Sequence, residues 1–457
     1  MQSLKIAVIG SGISGLSSAW LLDQKHDVTL FEADNRLGGH TNTFDMDIDG
    51  KTVPVDTGFI CFNEQTYPNL TALFKHLDVP IHPTDMNFAA SMASGQYEYA
   101  GGTYTGLIGQ PANLFRMSHW RMVRDILRFF KEATRDLDTL DDDESLASYL
   151  ARKGYSDAFV DLHLLPMAAA IWSSKLEDMT TYPAKSFIRF FQNHGLLQVY
   201  GRPRWGTVNG GSKVYIERLL ATSNFKTRLG APVVEILRRP DGVMVKTAGG
   251  EAEKFDQIVI ASHGDQALAM LGDPSAEERE ILGAFHYAKN HAVLHRDRRL
   301  MPKRRLTWAS WNYLDFAPSM DRTRDEERDL CVTYWMNSLQ NLPTREQVFV
   351  TLNPSPGIKI DHVAARFDYT HPIFDADAMN AQREIWSLQG VNRTWFCGAH
   401  FGAGFHEDGL QSGLAVAEQL GGLRRPWADG ADTNWDIERE SSRIHVWDSV
   451  EQREAAE

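Results

Sequence analysis

The segment "KIAVIGSGISGLSSAWLL", beginning at Lys5, constrains the fold more than any other stretch of the chain. "KIAVI" is a β-branched run of the kind that a parallel sheet buries on both faces. Gly10, Gly12 and Gly15 follow at once, and apolar residues at helical spacing come next. A glycine at Gly10 permits a tight turn. One at Gly12 lets backbone approach a pyrophosphate, and one at Gly15 lets the helix pack closely on the strand. The helix start, with Ile13 and Ser14, has free N–H groups that stabilise phosphate charge. "HDVTLFE" reads as a second strand ending in Glu32, whose carboxylate would accept hydrogen bonds from a ribose diol. The spacing predicts a Rossmann-type α/β dinucleotide-binding unit at the start of the chain.

The loop after Glu32 points to a longer cofactor. "EADNRLGGH" brings Ala33, Arg36, Gly38, Gly39 and His40 into line. Its glycine pair gives backbone a second close approach, which suits FAD better than NAD. "VDTGFI" adds Asp56 and Gly58 in a D-x-G turn, followed by Phe59 and Ile60. Near the other end, "FCGAHFGAGFHEDGLQSG" (396–413) contains five glycines. "TWFCG" reads as a strand returning to the cofactor sheet, and "GLQSGLAVAEQL" as a helix whose first-turn N–H groups are free. Both ends of the chain therefore build one site, and the residues between them are inserted into that domain.

The set G-x-G-x-x-G, E-A-x-x-R-x-G-G and D-x-G resembles the FAD-dependent amine oxidase and phytoene desaturase superfamily. The resemblance implies an α/β fold of amine-oxidase type, in which a Rossmann-type FAD domain carries an inserted α+β substrate domain. The expected FAD domain is discontinuous, at 1–75, 205–265 and 385–457. The substrate domain comprises a mainly helical part, 76–204, and a sheet-rich part, 266–384. The resemblance also implies that Val233 meets adenine through its backbone. Gly398, Asp408, Gly409 and Leu410 match the positions that face the flavin's pyrimidine edge. The three cysteines, Cys61, Cys331 and Cys397, form no CxxC pair, and Cys397 lies in no recognised covalent-flavin motif. Non-covalent FAD, no metal and a reducing compartment are expected.

Further stretches, among them "IWSSKLEDM", "NHGLLQVYGRPRW", "HRDRRLMPKR" and "VTYWMNSLQN", resemble a narrower subgroup. It comprises bacterial NAD/FAD-binding proteins and the flavoprotein domain fused to plant cyclopropane-fatty-acid synthases. Some bacterial members are methyl-fatty-acid desaturases. The resemblance implies a methyl-branched acyl chain, held in a phospholipid, as substrate. Two alternatives stay open. One is an amine or small-molecule oxidase; the other is a non-catalytic flavoprotein partner of a lipid methyltransferase. Many amine oxidases carry a lysine near flavin N5 in the strand matching "YAKNHAVLHRD". Alignment places Asn290 there, with Lys289 on the other face.

Flavin chemistry asks little of acid–base residues, because the cofactor takes the hydride. His194 and His400 are candidate bases. Tyr334 and Trp335 are candidates for an apolar wall over the ring, with Trp172 and Trp205 alongside. Glu407 and Asp408 are expected to cap the last helix. The net charge of −13 excludes a general nucleic-acid binder, and no apolar run reaches the roughly 18 residues of a membrane helix. A cytoplasmic protein is expected. Segment 116–135 is nevertheless basic, with Arg121, Arg124, Arg128, Lys131 and Arg135 in one helical stripe beside Trp120, Val123, Leu127 and Phe130. Such a helix suits peripheral contact with the anionic inner face of a membrane. A second basic cluster occupies 295–305.

Overall fold

The computed structural model describes residues 3–428, except 143, 199–200, 321–329 and 356. Positions 429–457 of the expected last cofactor segment lie outside the described residues. The cofactor half is built on a five-stranded parallel sheet. Its strands run Lys226–Arg228, Asp27–Phe31, Lys5–Ile9, Gln257–Ile260, Thr394–Phe396 across the sheet. In chain order that is third, second, first, fourth, fifth. The first strand lies at the centre because both its faces are apolar: Ile6, Ala7 and Val8 are wholly buried.

The helix Ile13–Leu22 follows the glycine loop, and every residue in it is buried. An amphipathic helix would leave one side in water; this one is covered on its outer side by a second helix, His406–Gly421. Small residues make that crossing possible. A Cβ at Gly413 would lie 2.3 Å from the Ser14 carbonyl oxygen and 2.4 Å from Ser17 Oγ. The buried serines are satisfied within their own helix, Ser17 Oγ by Ser14 O at 3.1 Å and Ser18 Oγ by Gly15 O at 3.0 Å.

Polar joints lock this half together. Asp408 caps its own helix through the Phe405 N–H (2.8 Å). Glu407, expected to do the same, instead accepts from the N–H groups of Asn69 and Leu70, both at 2.9 Å. It thereby caps the neighbouring helix Pro68–His76, whose first turn it faces. Arg425, buried, bridges Glu418 Oε1 (2.8 Å), Asn69 Oδ1 (2.9 Å) and Gln411 Oε1 (2.6 Å). Asp56 is also fully buried. Its carboxylate takes hydrogen bonds from Ser212 N, Ser212 Oγ, Thr43 Oγ1 and Gln340 Nε2, so it joins three separate stretches of chain.

The other half centres on a seven-stranded mixed sheet. Five strands come from residues 286–373, and two, Phe88–Met92 and Tyr97–Ala100, come from the first insertion. The insertion expected to be mainly helical therefore supplies one edge of the sheet, with Trp311–Leu314 pairing parallel to Phe88–Met92. Helices between 117 and 193 cover that edge around Phe129, Phe159, Phe187 and Phe191. The apolar packing of the cofactor half does not stop at 265. It continues through Ile281, Leu282 and Phe285 and is rejoined by Ala378 and Ile385.

Because the backbone of Ser14 crowds Gly413 together with Ser17 Oγ, Gly413→Ala is expected to cost ~1–3 kcal/mol. Gly357, whose Cβ position meets nothing within 4 Å, provides the control: Gly357→Ala should stay within about 0.5 kcal/mol of wild type in denaturant unfolding.

Candidate active site

The glycine loops and the two insertions enclose one cavity of about 750 Å³. Its nucleotide end is made of backbone. Gly10 (φ +99) turns the chain where a Cβ would collide with Ala261 O at 2.8 Å. Gly15 sits against Gly10 O, where a Cβ would come within 1.9 Å. Gly12 differs: its Cβ position meets nothing within 4 Å and faces the cavity, so any side chain would occupy the space a pyrophosphate needs. The helix it begins has no side-chain cap, which leaves first-turn N–H groups for an anion. Glu32 is held by the Ser11 N–H (2.8 Å), the Ser11 hydroxyl and the Asp34 N–H (2.9 Å). That fixes the carboxylate at the lip of the cavity.

Several predicted cofactor residues line the cavity directly: Gly10, Gly12, Ile13, Ser14, Glu32, Ala33, Gly39, His40, Gly58, Phe59, Ile60, Val233, Gly398 and Gly409. Five others stand behind that surface. Gly15 makes the helix–strand contact described above. Arg36 donates to Gly39 O (2.8 Å) and Thr41 O (3.2 Å), so it moulds the second glycine loop. Gly38 (φ +116) takes the turn that lays Gly39 on Gly12, so close that a Cβ on Gly39 would lie 3.2 Å from Gly12 Cα. Asp408 is occupied in capping, and Leu410 is wholly buried in the core.

Of the catalytic candidates, His194, His400 and Tyr334 line the cavity, as do Trp172 and Trp205. Trp335 does not. Side chains alternate along the strand Val332–Trp335, so with Tyr334 facing in, Trp335 faces out. Its indole N–H donates to Gln347 Oε1 at 2.9 Å, and Arg305 stacks over its ring. His194 stacks on Phe190 at 3.8 Å and bonds Phe190 O through Nδ1 at 2.9 Å. Burial pulls His400 down to about 3, so its neutral imidazole is a weak base at pH 7. Burial likewise pushes the Cys397 thiol up to about 12, and Cys397 lies outside the lining.

A feature the sequence did not reveal lies at His371. Its ring lines the cavity beside His40, with centroids 5.2 Å apart. Behind it runs a directed relay. The His291 backbone N–H donates to Asn353 Oδ1 (2.8 Å), Asn353 Nδ2 to Asn290 Oδ1 (2.8 Å), and Asn290 Nδ2 to His371 Nδ1 (2.9 Å). A backbone N–H can only donate, so the direction of every later bond follows. His371 therefore accepts at Nδ1 and holds its proton on Nε2. Asn290 is buried and Lys289 exposed, the register expected from the alignment.

The cavity suits FAD: a backbone cradle at one end, a placed carboxylate, and buried nitrogens of His40 and His400 whose Nε2 atoms lack a partner. Burial, followed by the charge of His263, lowers His371 to about 4 from 6.5. The unfolded chain therefore takes up this proton first, and stability is lost as pH falls from 6.5 towards 4. At about 1.4 kcal/mol per unit, the loss approaches ~3 kcal/mol at pH 4. His371→Gln should flatten the fall of thermal midpoint across that window.

The sequence profile of the flavin containing amine oxidoreductase family matches residues 13–348. A carotenoid phi-ring synthase of Chlorobaculum tepidum is 26% identical over 207 residues, 41% of this chain and 31% of that protein. The chain thus matches less than a third of that relative's length. Two solved structures share the fold. Cyclohexylamine oxidase from Brevibacterium oxydans superposes with a TM-score of 0.64 at 16% identity, covering 92% of this chain and 99% of that one. A fatty acid isomerase from P. acnes that produces CLA superposes with a TM-score of 0.62 at 15% identity, covering 91% and 98%. The profile match spans well over half of the sequence, so this protein belongs to the flavin-containing amine oxidoreductase family, and its cofactor is FAD.

Proposed function

We propose that the enzyme introduces a double bond into a methyl-branched fatty acyl chain carried by a membrane phospholipid. The observation that carries this reading is the wall of the substrate half. Phe88, Met167, Ile171, Trp172, Trp311 and Tyr334 form it, and among the described lining residues the one carboxylate of the whole cavity is Glu32, at the nucleotide end. A cationic amine would enter without a counter-charge, which is costly in an apolar site; an acyl chain meets only favourable surface. Asn290, instead of a lysine, behind His371 agrees with this preference.

When bound, FAD supplies the two-electron acceptor that oxidation of a C–H bond requires. The chain's own residues orient the acyl carbons and exclude water. His371 and His400 stay neutral through burial, so no cation competes with the apolar chain near them. Anaerobic mixing of holoprotein with a methyl-branched phospholipid should bleach the flavin's visible absorbance, whereas primary amines should not. Bleaching by amines alone would transfer the assignment to an amine oxidase.

The substrate would be met at a surface formed where the two basic clusters converge. Arg116 donates to Gln96 O (3.0 Å) and Arg304 to Gly95 O (3.1 Å), so both reach the tip of one hairpin. Around it stand exposed apolar side chains: Tyr104 at 83%, Phe115 at 86%, Met117 at 69% and Leu306 at 58% of full exposure. Arg121, Arg124, Lys131 and Arg135 are exposed along the helix Met117–Asp136. Arg128 leaves the expected stripe, turning in to Lys153 O at 2.6 Å and the Tyr155 ring. Exposed aromatics within a basic rim fit an anionic bilayer. At ~1 kcal/mol per basic residue near the surface, Arg121→Glu with Lys131→Glu should weaken sedimentation with phosphatidylserine vesicles by more than roughly tenfold. Oxidation of detergent-dispersed substrate should be unaffected.

A further inference from the structure

The cavity lining reaches solvent in two places. At the nucleotide end the exposed lining residues are Ala33, Pro232, Gln266 and Ala269. Away from that end one described lining residue is exposed, Arg202. It is also the one Arg or Lys among the described lining residues. Its chain neighbour Pro203 packs against Gly195 (φ +64).

The arm of Arg202 is tethered, but its charge is not neutralised. Nε donates to Gln198 O at 3.0 Å, and no carboxylate pairs with the guanidinium among the described residues. Its titratable neighbour His163 is pulled to about 4 by burial and by the Arg202 charge. It is therefore neutral at pH 7 and has no negative charge to offer. Tyr99 holds it through Nδ1 at 2.8 Å. A guanidinium is a planar fork that bonds carboxylates and phosphates in pairs. Here it stands at an opening whose inner walls are Phe88, Met167, Ile171 and Trp311.

We infer that Arg202 binds the anionic end, carboxylate or phosphate, of an elongated apolar substrate whose chain runs inward from this opening. This rests on the acyl reading above and adds to it the polarity of binding: charged end at the mouth, hydrocarbon towards the nucleotide loops. A free fatty acid and a phospholipid offer the same chemistry to the fork, and the test separates them.

Holoprotein would be titrated with three ligands that share one saturated branched chain: the free acid, its methyl ester and a lysophosphatidate. Perturbation of the flavin spectrum is the readout, and FAD content per chain confirms that each variant is folded. Arg202→Gln should weaken the acid or the phosphate by about ten- to a hundredfold and leave the ester unchanged, with Arg202→Lys between the two. Whichever anion wild type binds more tightly identifies the source. If wild type binds acid, ester and phosphate equally, or if Arg202→Gln weakens all three alike, the Arg202 assignment is overturned and the acyl reading stands. If wild type binds none of the three, both fall.

Discussion

The molecule depends on one close contact: the crossing of the helices Ile13–Leu22 and His406–Gly421 through Gly413 and Ser14. The first helix starts beside Gly12 and the second at His406, both of which line the cavity. Holding both starts over one cofactor brings two positive helix ends together, and the glycines let backbone approach to van der Waals distance. The surrounding polar joints serve that arrangement. Glu407, on the last helix, caps the helix Pro68–His76, and Arg425 ties the same corner from a third stretch of chain. A charge buried in this way is stable only when its partners are in place, so the corner forms as a unit.

Around this frame the protein keeps charge out of the reaction chamber. The nitrogen-rich lining of His40, His263, His371, His400 and His406 is shifted towards the neutral form, in each case chiefly by burial. Among the described lining residues, Glu32 is the one carboxylate and Arg202 the one Arg or Lys. The rest of that lining is largely hydrocarbon, aromatic rings and imidazole, with a few uncharged polar side chains such as Asn87, Ser173 and Thr370. Such a chamber favours a reaction in which the flavin carries the chemistry and the protein aligns a C–H bond.

The nucleotide end was legible in the sequence because its rules are local. A tight turn, a close approach and a helix start each demand glycine at a fixed offset, and Glu32 follows at the end of the next strand. Where local rules stop, so did legibility. Tyr334 and Trp335 are chemically alike, and only strand parity separates the cavity wall from the far face of the sheet. Glu407 obeyed the general preference of acids for helix starts, but it serves a helix more than 300 positions earlier in the chain. That the hairpin of Phe88–Met92 and Tyr97–Ala100 joins the distant sheet was hidden, because Phe88–Met92 pairs with Trp311–Leu314, over 200 residues away. Arg202 could not be singled out in the sequence, because its place in the cavity lining follows from the fold.

The amide relay behind His371 has a consequence for how the enzyme keeps its polarity. Side-chain amides can usually rotate by half a turn at little cost, exchanging donor for acceptor. Here the leading donor is a peptide nitrogen locked into strand pairing, so reversing any link would set two like poles face to face. The imidazole's tautomer is thus inherited from the weave of the sheet, independent of whatever occupies the chamber in front of it.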